Sequence, residues 1–263
     1  GHFAYDNTED VASAAKEYWE AADGIVSFVN YTENIYVGYK FYETAAVEGL
    51  IDYDAAVQFP FGYGLSYTTF SQTMGDLQVS DGTISVDVTV TNTGSVAGKS
   101  VVELYYNPPY TNGGIEKAAA NLVAFDKTGE LAPGASETLT LSFTEEDMAS
   151  YDDQVNRCYV LEAGDYEISL RTDSHNVVDT RVYTVANTIV YGEDNKRSPD
   201  QIAATNHFDY ARGEDNGIVY LSRADGFANY AQATAAPASY SLNRDAYEVT
   251  GNGTYDVYAY NNE

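Results

Sequence analysis

The sequence predicts a mainly β protein, an antiparallel β-sandwich with a short helical region before it and an extended arm after it. Three observations lead there. Ile84, Val86, Val88 and Val90 alternate with Ser85, Asp87, Thr89 and Thr91, and this period of two places the apolar side chains on one face of a half-buried strand. Similar short segments follow as far as Val185, separated by turn sequences such as Asn92-Thr93-Gly94, Leu131-Ala132-Pro133-Gly134 and Glu162-Ala163-Gly164-Asp165. About seven strands at that spacing fill the roughly 100 residues of a two-sheet sandwich.

Ahead of the strands, Thr8 to Ala22 is the best helix candidate. Thr8 is a capping residue, Glu9 and Asp10 suit the positive end of a helix, and Val11, Ala14, Ala15, Tyr18 and Trp19 fall on one face before Gly24 stops it. A second, shorter helix is expected from Ile35 to Ala46, with Val37, Phe41 and Ala45 on a shared face. From Phe59 to Phe70 the texture changes, because Pro60, Gly62 and Gly64 forbid regular helix. The large apolar groups between them need burial and predict a pinned connector that packs between two domains; the sandwich and the segment Thr8 to Ala46 can cover only some of them, so the chain alone is expected to self-associate or to leave an unusually large apolar patch. Strands are then expected at Thr83–Thr91, Lys99–Tyr106, Leu122–Phe125, Ser136–Phe143, Tyr159–Leu161, Tyr166–Arg171 and Arg181–Val185. Past Ala186 only short apolar runs remain, Ile189–Tyr191 and Ile218–Leu221 among them. That arm lacks a core of its own and is expected to lie on something else.

Composition narrows the function classes. The 263 residues carry 40 Asp and Glu against 13 Lys and Arg, a formal charge of −27. Such a surface repels phosphate backbones and anionic lipids but not a neutral, hydroxyl-rich partner such as a sugar. Tyrosine is used 25 times and tryptophan once; tyrosine stacks on sugar rings, but filling a sandwich is its expected role at most of these positions. The lone cysteine, Cys158, cannot form an internal disulfide, and His2, His175 and His207 form no motif with it. It reads as a small buried strand residue. No run of 18 apolar residues, the length of a membrane-spanning helix, occurs. The abrupt ends, Gly1-His2-Phe3 and Asn261-Asn262-Glu263, suggest a piece of a longer protein.

Other constellations are weak. Asp147, Asp152, Asp153 and Asp165 have no calcium-loop spacing. Asp209, Glu214 and Asp215 read as a solvated acidic loop rather than a cation site. Asn30-Tyr31-Thr32 and Asn252-Gly253-Thr254 fit the glycosylation sequon, a coincidence in a bacterial protein.

Three segments together resemble the β-glucosidase type of family 3 glycoside hydrolases. Tyr31-Thr32-Glu33-Asn34-Ile35-Tyr36-Val37-Gly38-Tyr39-Lys40-Phe41-Tyr42-Glu43 is similar to a segment of the family's α/β sandwich domain, with Asn34 where the family usually has glycine. Phe59 to Phe70 resembles the segment that ends that domain. The strands that follow, with Val90-Thr91-Asn92-Thr93-Gly94, Gly98-Lys99-Ser100-Val101-Val102-Glu103-Leu104-Tyr105 and Leu131-Ala132-Pro133-Gly134, resemble its fibronectin-III-like domain, an immunoglobulin-like antiparallel β-sandwich. The segment Val219 to Phe227 resembles the linker of the permuted subgroup, in which a TIM-like barrel follows these domains.

The resemblance implies a division into residues 1–70, a remnant of the α/β domain, 71–186, the fibronectin-III-like sandwich, and 187–263, an extended arm toward a barrel. It also implies hydrolysis of terminal β-D-glucosyl or related linkages by the whole enzyme with retention, which needs two carboxylates about 5 Å apart. The family's nucleophile lies in a barrel segment without counterpart here, and its acid/base residue lies upstream of Tyr36. No catalytic, cofactor-binding or metal-ligating residue is therefore assigned, and no cofactor is expected. Glu33 and Glu43 are read as structural carboxylates. The expected partners are the enzyme's own barrel and α/β domains, a carbohydrate substrate through them, and a second copy of the chain as another way of covering apolar surface; nucleic acid and membrane insertion are not expected. The acidic charge and a polymer-derived substrate point to a secreted or cell-surface bacterial protein. A rival class is a stand-alone carbohydrate-binding or surface-interaction sandwich, although the strands show no row of aromatics at alternate positions. A spacer or adhesin stalk would show tandem repeats, and none is present.

Overall fold

The computed structural model describes residues 31–206, 218–235, 248–251 and 253–256. The helix expected at Thr8–Ala22 lies outside them. The chain divides into two compact units, one of residues 35–205 with 223–227, the other of 1–34, 206–222 and 228–263.

The larger unit opens with helix α1 (Tyr39–Val47) and a single helical turn, α2 (Tyr53–Ala56). The sequence placed the first of these from Ile35. It starts later because Gly38, at its N-cap, has φ 58°, a left-handed conformation that ends the preceding turn. Asp52 caps α2 by accepting a hydrogen bond from the Ala55 amide.

Strands follow in the predicted run. β1 (Phe70–Met74) and β2 (Gln78–Ser80) pair antiparallel with successive halves of β3 (Thr83–Asn92), whose other edge pairs with a later strand, β6 (Ser136–Thr144). A second sheet has the order β10 (Val177–Val185), β9 (Gly164–Arg171), β4 (Val101–Asn107), β5 (Asn121–Lys127). A small third sheet joins β7 (Ser150–Asp152), β8 (Cys158–Leu161) and β11 (Ile189–Tyr191). The edge strands β1, β2 and β7 were not expected from the sequence. β2 and β7 have three residues each, and in β1, Phe-Ser-Gln-Thr-Met, the polar Gln72 interrupts the apolar face that its burial pattern follows.

The core lies between the two large sheets. Ile84, Val86, Val88 and Val90 of β3 meet Val102, Leu104 and Tyr106 of β4, Tyr166, Ile168 and Leu170 of β9, and Leu141 and Phe143 of β6. All four alternating residues of β3 are buried, as the period of two requires. Cys158 is buried in β8, where loss of solvent and then the nearby Asp152 charge push its thiol up.

Asn92 closes one end of the sandwich. Fully buried, it donates from Nδ2 to the carbonyls of Val96 and Leu131, and its Oδ1 accepts from Thr68 Oγ1 at 2.8 Å and from the Gly94 amide at 3.0 Å. A Cβ on Gly94 would lie 2.1 Å from Thr68 Oγ1 and 2.8 Å from the Thr69 nitrogen, so only glycine fits. The Thr-Asn-Thr-Gly turn thus fastens the end of the connector to the sandwich.

In the smaller unit the Leu221 amide donates to the Thr32 carbonyl, and Asn34 Nδ2 donates to the Leu221 carbonyl. Asn34 has φ 56°. That explains how asparagine stands where the resembled family has glycine, since asparagine is one of the few other residues that adopt left-handed backbone. The strands β12 (Glu248–Gly251) and β13 (Gly253–Asp256) pair as a hairpin.

This packing gives a direct stability expectation. Leu104 and Leu170 face each other in register and are both fully buried. Leu104→Ala is expected to lower unfolding free energy by about 2–5 kcal/mol. Val182→Ala, at an exposed position of β10, is expected to change it by less than about 0.5 kcal/mol. Urea denaturation of the two variants measures both.

Candidate functional site

Four residues of β4 and β9 that point away from the core are kept largely from water. Glu103, Tyr105 and Ser169 are buried and Arg171 half-buried, although they alternate with core residues on their strands. Residues preceding the sandwich cover them. Tyr39 of α1 stacks on Phe61 of the connector at 4.6 Å and meets Tyr105 edge-on at 6.0 Å, and its hydroxyl accepts from the Leu122 amide. Gly62, with φ 87°, lets the connector pass over Glu103; a Cβ there would lie 2.5 Å from Glu103 Oε2.

At the centre of this junction is Glu43, on the buried side of α1. Its Oε1 accepts from the Tyr53 hydroxyl at 2.7 Å and from Ser174 Oγ at 2.8 Å, and its Oε2 is 3.0 Å from His175 Nδ1. Tyr53 and His175 stack face to face at 3.7 Å, 7° from parallel. The loop between β9 and β10 that supplies Ser174 and His175 is itself shaped by Asp173, which accepts from the amides of His175 and Asn176 and from the Asn176 side chain. The Ser174 amide donates to the Phe61 carbonyl at 2.7 Å, joining the same loop to the connector.

Two further groups complete the network. Tyr105 donates to Glu103 at 2.8 Å. Burial pushes the Glu103 carboxyl up, partly opposed by that hydroxyl. Arg171 lies over the Tyr105 ring at 5.2 Å, donates from Nε to Ser169 Oγ and from Nη1 to the Ser174 carbonyl. Burial pulls its guanidinium down, against the Glu43 charge.

Chemically, this arrangement binds protein to protein. Both oxygens of the buried Glu43 are engaged by hydroxyls and an imidazole from the protein itself, Tyr53, Ser174 and the partly exposed His175. Glu33, the other carboxylate singled out in the sequence, is half-buried with Oε2 enclosed and without a hydrogen-bond partner. Tyr53, Ser174 and His175 could not be found from sequence, because no local pattern links them to Glu43.

The remaining acidic residues have local duties. Asp147 forms a capping box with Thr144. Asp165 accepts from Thr184 Oγ1, and Gln154 Nε2 donates to Asp153. Asp152 is buried and accepts from the amides of Gln154, Val155 and Asn156 and from the Asn156 side chain. Among the described residues no group of three or more His, Cys, Asp or Glu is placed to hold a metal, and Asp209, Glu214 and Asp215 lie outside them. No described helix is long and apolar enough to cross a membrane.

The connector carries the apolar patch expected where the chain cannot supply cover: Phe59 is 60% exposed, Leu65 90% and Tyr67 fully exposed, and Phe61 and Tyr63 are about half in solvent. The pinning occurs at its two sides, through Phe61 on Tyr39 and Thr68 on Asn92. The stretch between them turns its apolar groups outward.

Residues 100–174 match the fibronectin type III-like domain family. The chain is 37% identical over 219 residues to β-glucosidase A of Butyrivibrio fibrisolvens, an alignment covering 73% of this chain and 25% of that protein. Among solved structures it is similar to β-glucosidase 3B of Thermotoga neapolitana in complex with α-D-glucose, with a TM-score of 0.52 and 39% identity over 60% of this chain and 20% of that one. It is also similar to a glycoside hydrolase family 3 β-glucosidase of Bifidobacterium adolescentis, with a TM-score of 0.53 and 31% identity over 62% and 22% of the two chains. The chain therefore spans a quarter or less of the length of these relatives.

The Asp152 loop supplies a pH test. Burial pushes this carboxyl up, but the three amides and the Asn156 side chain outweigh it and hold the group below the usual carboxylate range. A depressed folded-state value contributes stability that is present above the unfolded value of about 3.9 and is lost as pH falls through the folded one. Stability measured from pH 7 down to pH 2 is expected to fall less steeply at the acid end for Asp152→Ala than for the unsubstituted chain. Parallel curves would contradict this.

Proposed function

We infer that this chain, a segment of a family 3 glycoside hydrolase of the β-glucosidase type built on a fibronectin type III-like sandwich, is a non-catalytic scaffold within an enzyme that removes terminal β-D-glucosyl or related units. The observation that carries the scaffold reading is the junction around Glu43. The part of the outer face of β4 and β9 around Glu103, Tyr105, Ser169 and Arg171, which a free-standing sandwich would turn to water, holds the segment that precedes it. The activity rests on similarity to β-glucosidases, one of them solved with α-D-glucose bound. Double displacement needs a nucleophilic carboxylate and an acid/base carboxylate about 5 Å apart, and we assign both to other parts of the enzyme.

The exposed connector is the surface for those other parts. Fully burying one such ring is worth roughly 1.5–3 kcal/mol, and contiguous exposed apolar groups mark interaction sites. We assign Phe59, Tyr63, Leu65 and Tyr67 to contact with the enzyme's remaining α/β domain or barrel, the barrel following this chain as in the permuted subgroup. The acidic surface and a polymer-derived substrate favour a secreted or cell-surface setting. The same exposed rings also suit stacking on sugars, which is the second reading, a carbohydrate-binding module.

Three measurements separate these readings. The chain alone is expected to release no aryl alcohol from aryl β-glucosides, whereas the full-length enzyme does; an inactive full-length enzyme would sink the glucosidase reading. Affinity electrophoresis on insoluble glucans is expected to show free migration of the chain. Retardation abolished by Tyr67→Ala would favour the binding module instead. Fractionation of the source cells is expected to place the enzyme outside the cytosol.

A further inference from the structure

The larger unit includes five residues from far along the chain, Arg223 to Phe227, and their surroundings form a built site. Arg223 is 6% exposed. Its Nε donates to Glu48 Oε1 at 2.7 Å, its Nη1 to the Lys117 carbonyl at 2.9 Å, and its guanidinium lies 4.1 Å from the centre of the Tyr110 ring. The Arg223 amide donates to Glu116 Oε2 at 3.0 Å, and Glu116 Oε2 also accepts from the Tyr36 hydroxyl. Phe227, 1% exposed, meets Tyr36 edge-on at 4.9 Å and Phe41 at 5.8 Å. Between them, Asp225 exchanges two hydrogen bonds with the Asn112 side chain.

Two features distinguish this contact from ordinary packing. The charge balance on the walls is incomplete without the occupant. Glu48 and Glu116 both face Arg223, while the neighbouring cation, Lys117, is committed to Glu162 at 2.5 Å and to the Pro109 carbonyl. An emptied site would hold two carboxylates and a tyrosine face, a combination that suits a guanidinium fork better than an ammonium. The occupant is also bent into an unfavourable shape. Asp225, Gly226 and Phe227 have φ of 53°, 66° and 61° in succession. Left-handed backbone is uncommon outside glycine, and for a bulky residue such as Phe227 it persists only where surrounding contacts impose it.

We propose that the cleft bounded by Tyr36, Phe41, Glu48, Tyr110 and Glu116 is a receptor site for a short peptide bearing arginine and, four positions later, phenylalanine, and that residues 223–227 are its tethered occupant, a latch that closes the chain onto α1. The Arg223–Glu48 contact spans 175 positions of sequence. The latch therefore determines where the chain following the sandwich is tied down. This inference concerns the chain's own recognition chemistry and stands whether or not the glucosidase reading holds.

The test uses the full chain carrying Arg223→Ala and Phe227→Ala together, with a fluorescent synthetic peptide of residues 219–229 in anisotropy titrations. The double variant is expected to bind the peptide saturably. The unsubstituted chain, whose site is filled by its own tethered segment, is expected to bind it weaker by about tenfold or more. A peptide with lysine for the arginine is expected to bind the variant about tenfold more weakly. No saturable binding to a folded double variant, or equal binding to both chains, overturns the proposal. Should the double variant lose its β-sheet circular dichroism, amide exchange in Glu48→Ala decides. The Gly226 and Phe227 amides, bonded to the Arg223 carbonyl, are then expected to exchange about tenfold faster, with β4 and β9 unchanged. Undiminished protection at those two amides overturns it.

Discussion

A carboxylate taken out of water must be given partners, and Glu43 is given them by both parts that it joins. An unpaired buried charge costs several kcal/mol, which is why removing one partner of a buried pair is strongly destabilising. Glu43 comes from α1, ahead of the sandwich, and Ser174 and His175 come from a loop 131 and 132 positions later. Tyr53, ahead of the sandwich like Glu43, supplies one donor, and the sandwich loop supplies the other two through Ser174 and His175. The position of α1, the path of the connector over Glu103 and the burial of Tyr105 all follow from this. So does the distinction between a scaffold and an independent binding domain: an independent sandwich has no reason to bury polar residues on its outer face.

The two ends of the connector are held by different chemistry. Phe61 is held by stacking on Tyr39 and by its carbonyl on the Ser174 amide; Thr68 is held by the buried Asn92 side chain, which has four hydrogen bonds and no room for a side chain at Gly94. Between these anchors Leu65 and Tyr67 face outward. In a scaffold, an outward-facing loop anchored at both sides has a use. It presents apolar groups in a fixed place with little loss of conformational freedom on docking.

Much of the fold was legible because strand alternation is a local signal. β3 and β6 write their buried face in every second residue, and the turns at Asn92-Thr93-Gly94 and Pro133-Gly134 carry residues suited to tight backbone. The strand β1, Phe-Ser-Gln-Thr-Met, carries that signal only at its ends, since Gln72 stands between Phe70 and Met74; it is an edge strand, paired with β3. The site was legible only in outline. Glu43 could be read as structural, but its partners could not, since Tyr53, Ser174 and His175 have no common spacing. Arg223 was unremarkable in sequence for the same reason, its acceptors being Glu48 and Lys117. The connector's apolar groups were legible as needing cover that the chain itself does not supply, and they face outward.

The coupling between Glu43 and Ser174 tests the central claim most directly. Unfolding free energies of the full chain, of Glu43→Ala, of Ser174→Ala and of the double variant form a closed cycle. If the buried carboxylate is the tie between the N-terminal segment and the sandwich, the two substitutions are non-additive, with an interaction energy of about 1 kcal/mol or more. Additivity within about 0.3 kcal/mol would mean that the two residues act independently and that the junction is held by something else.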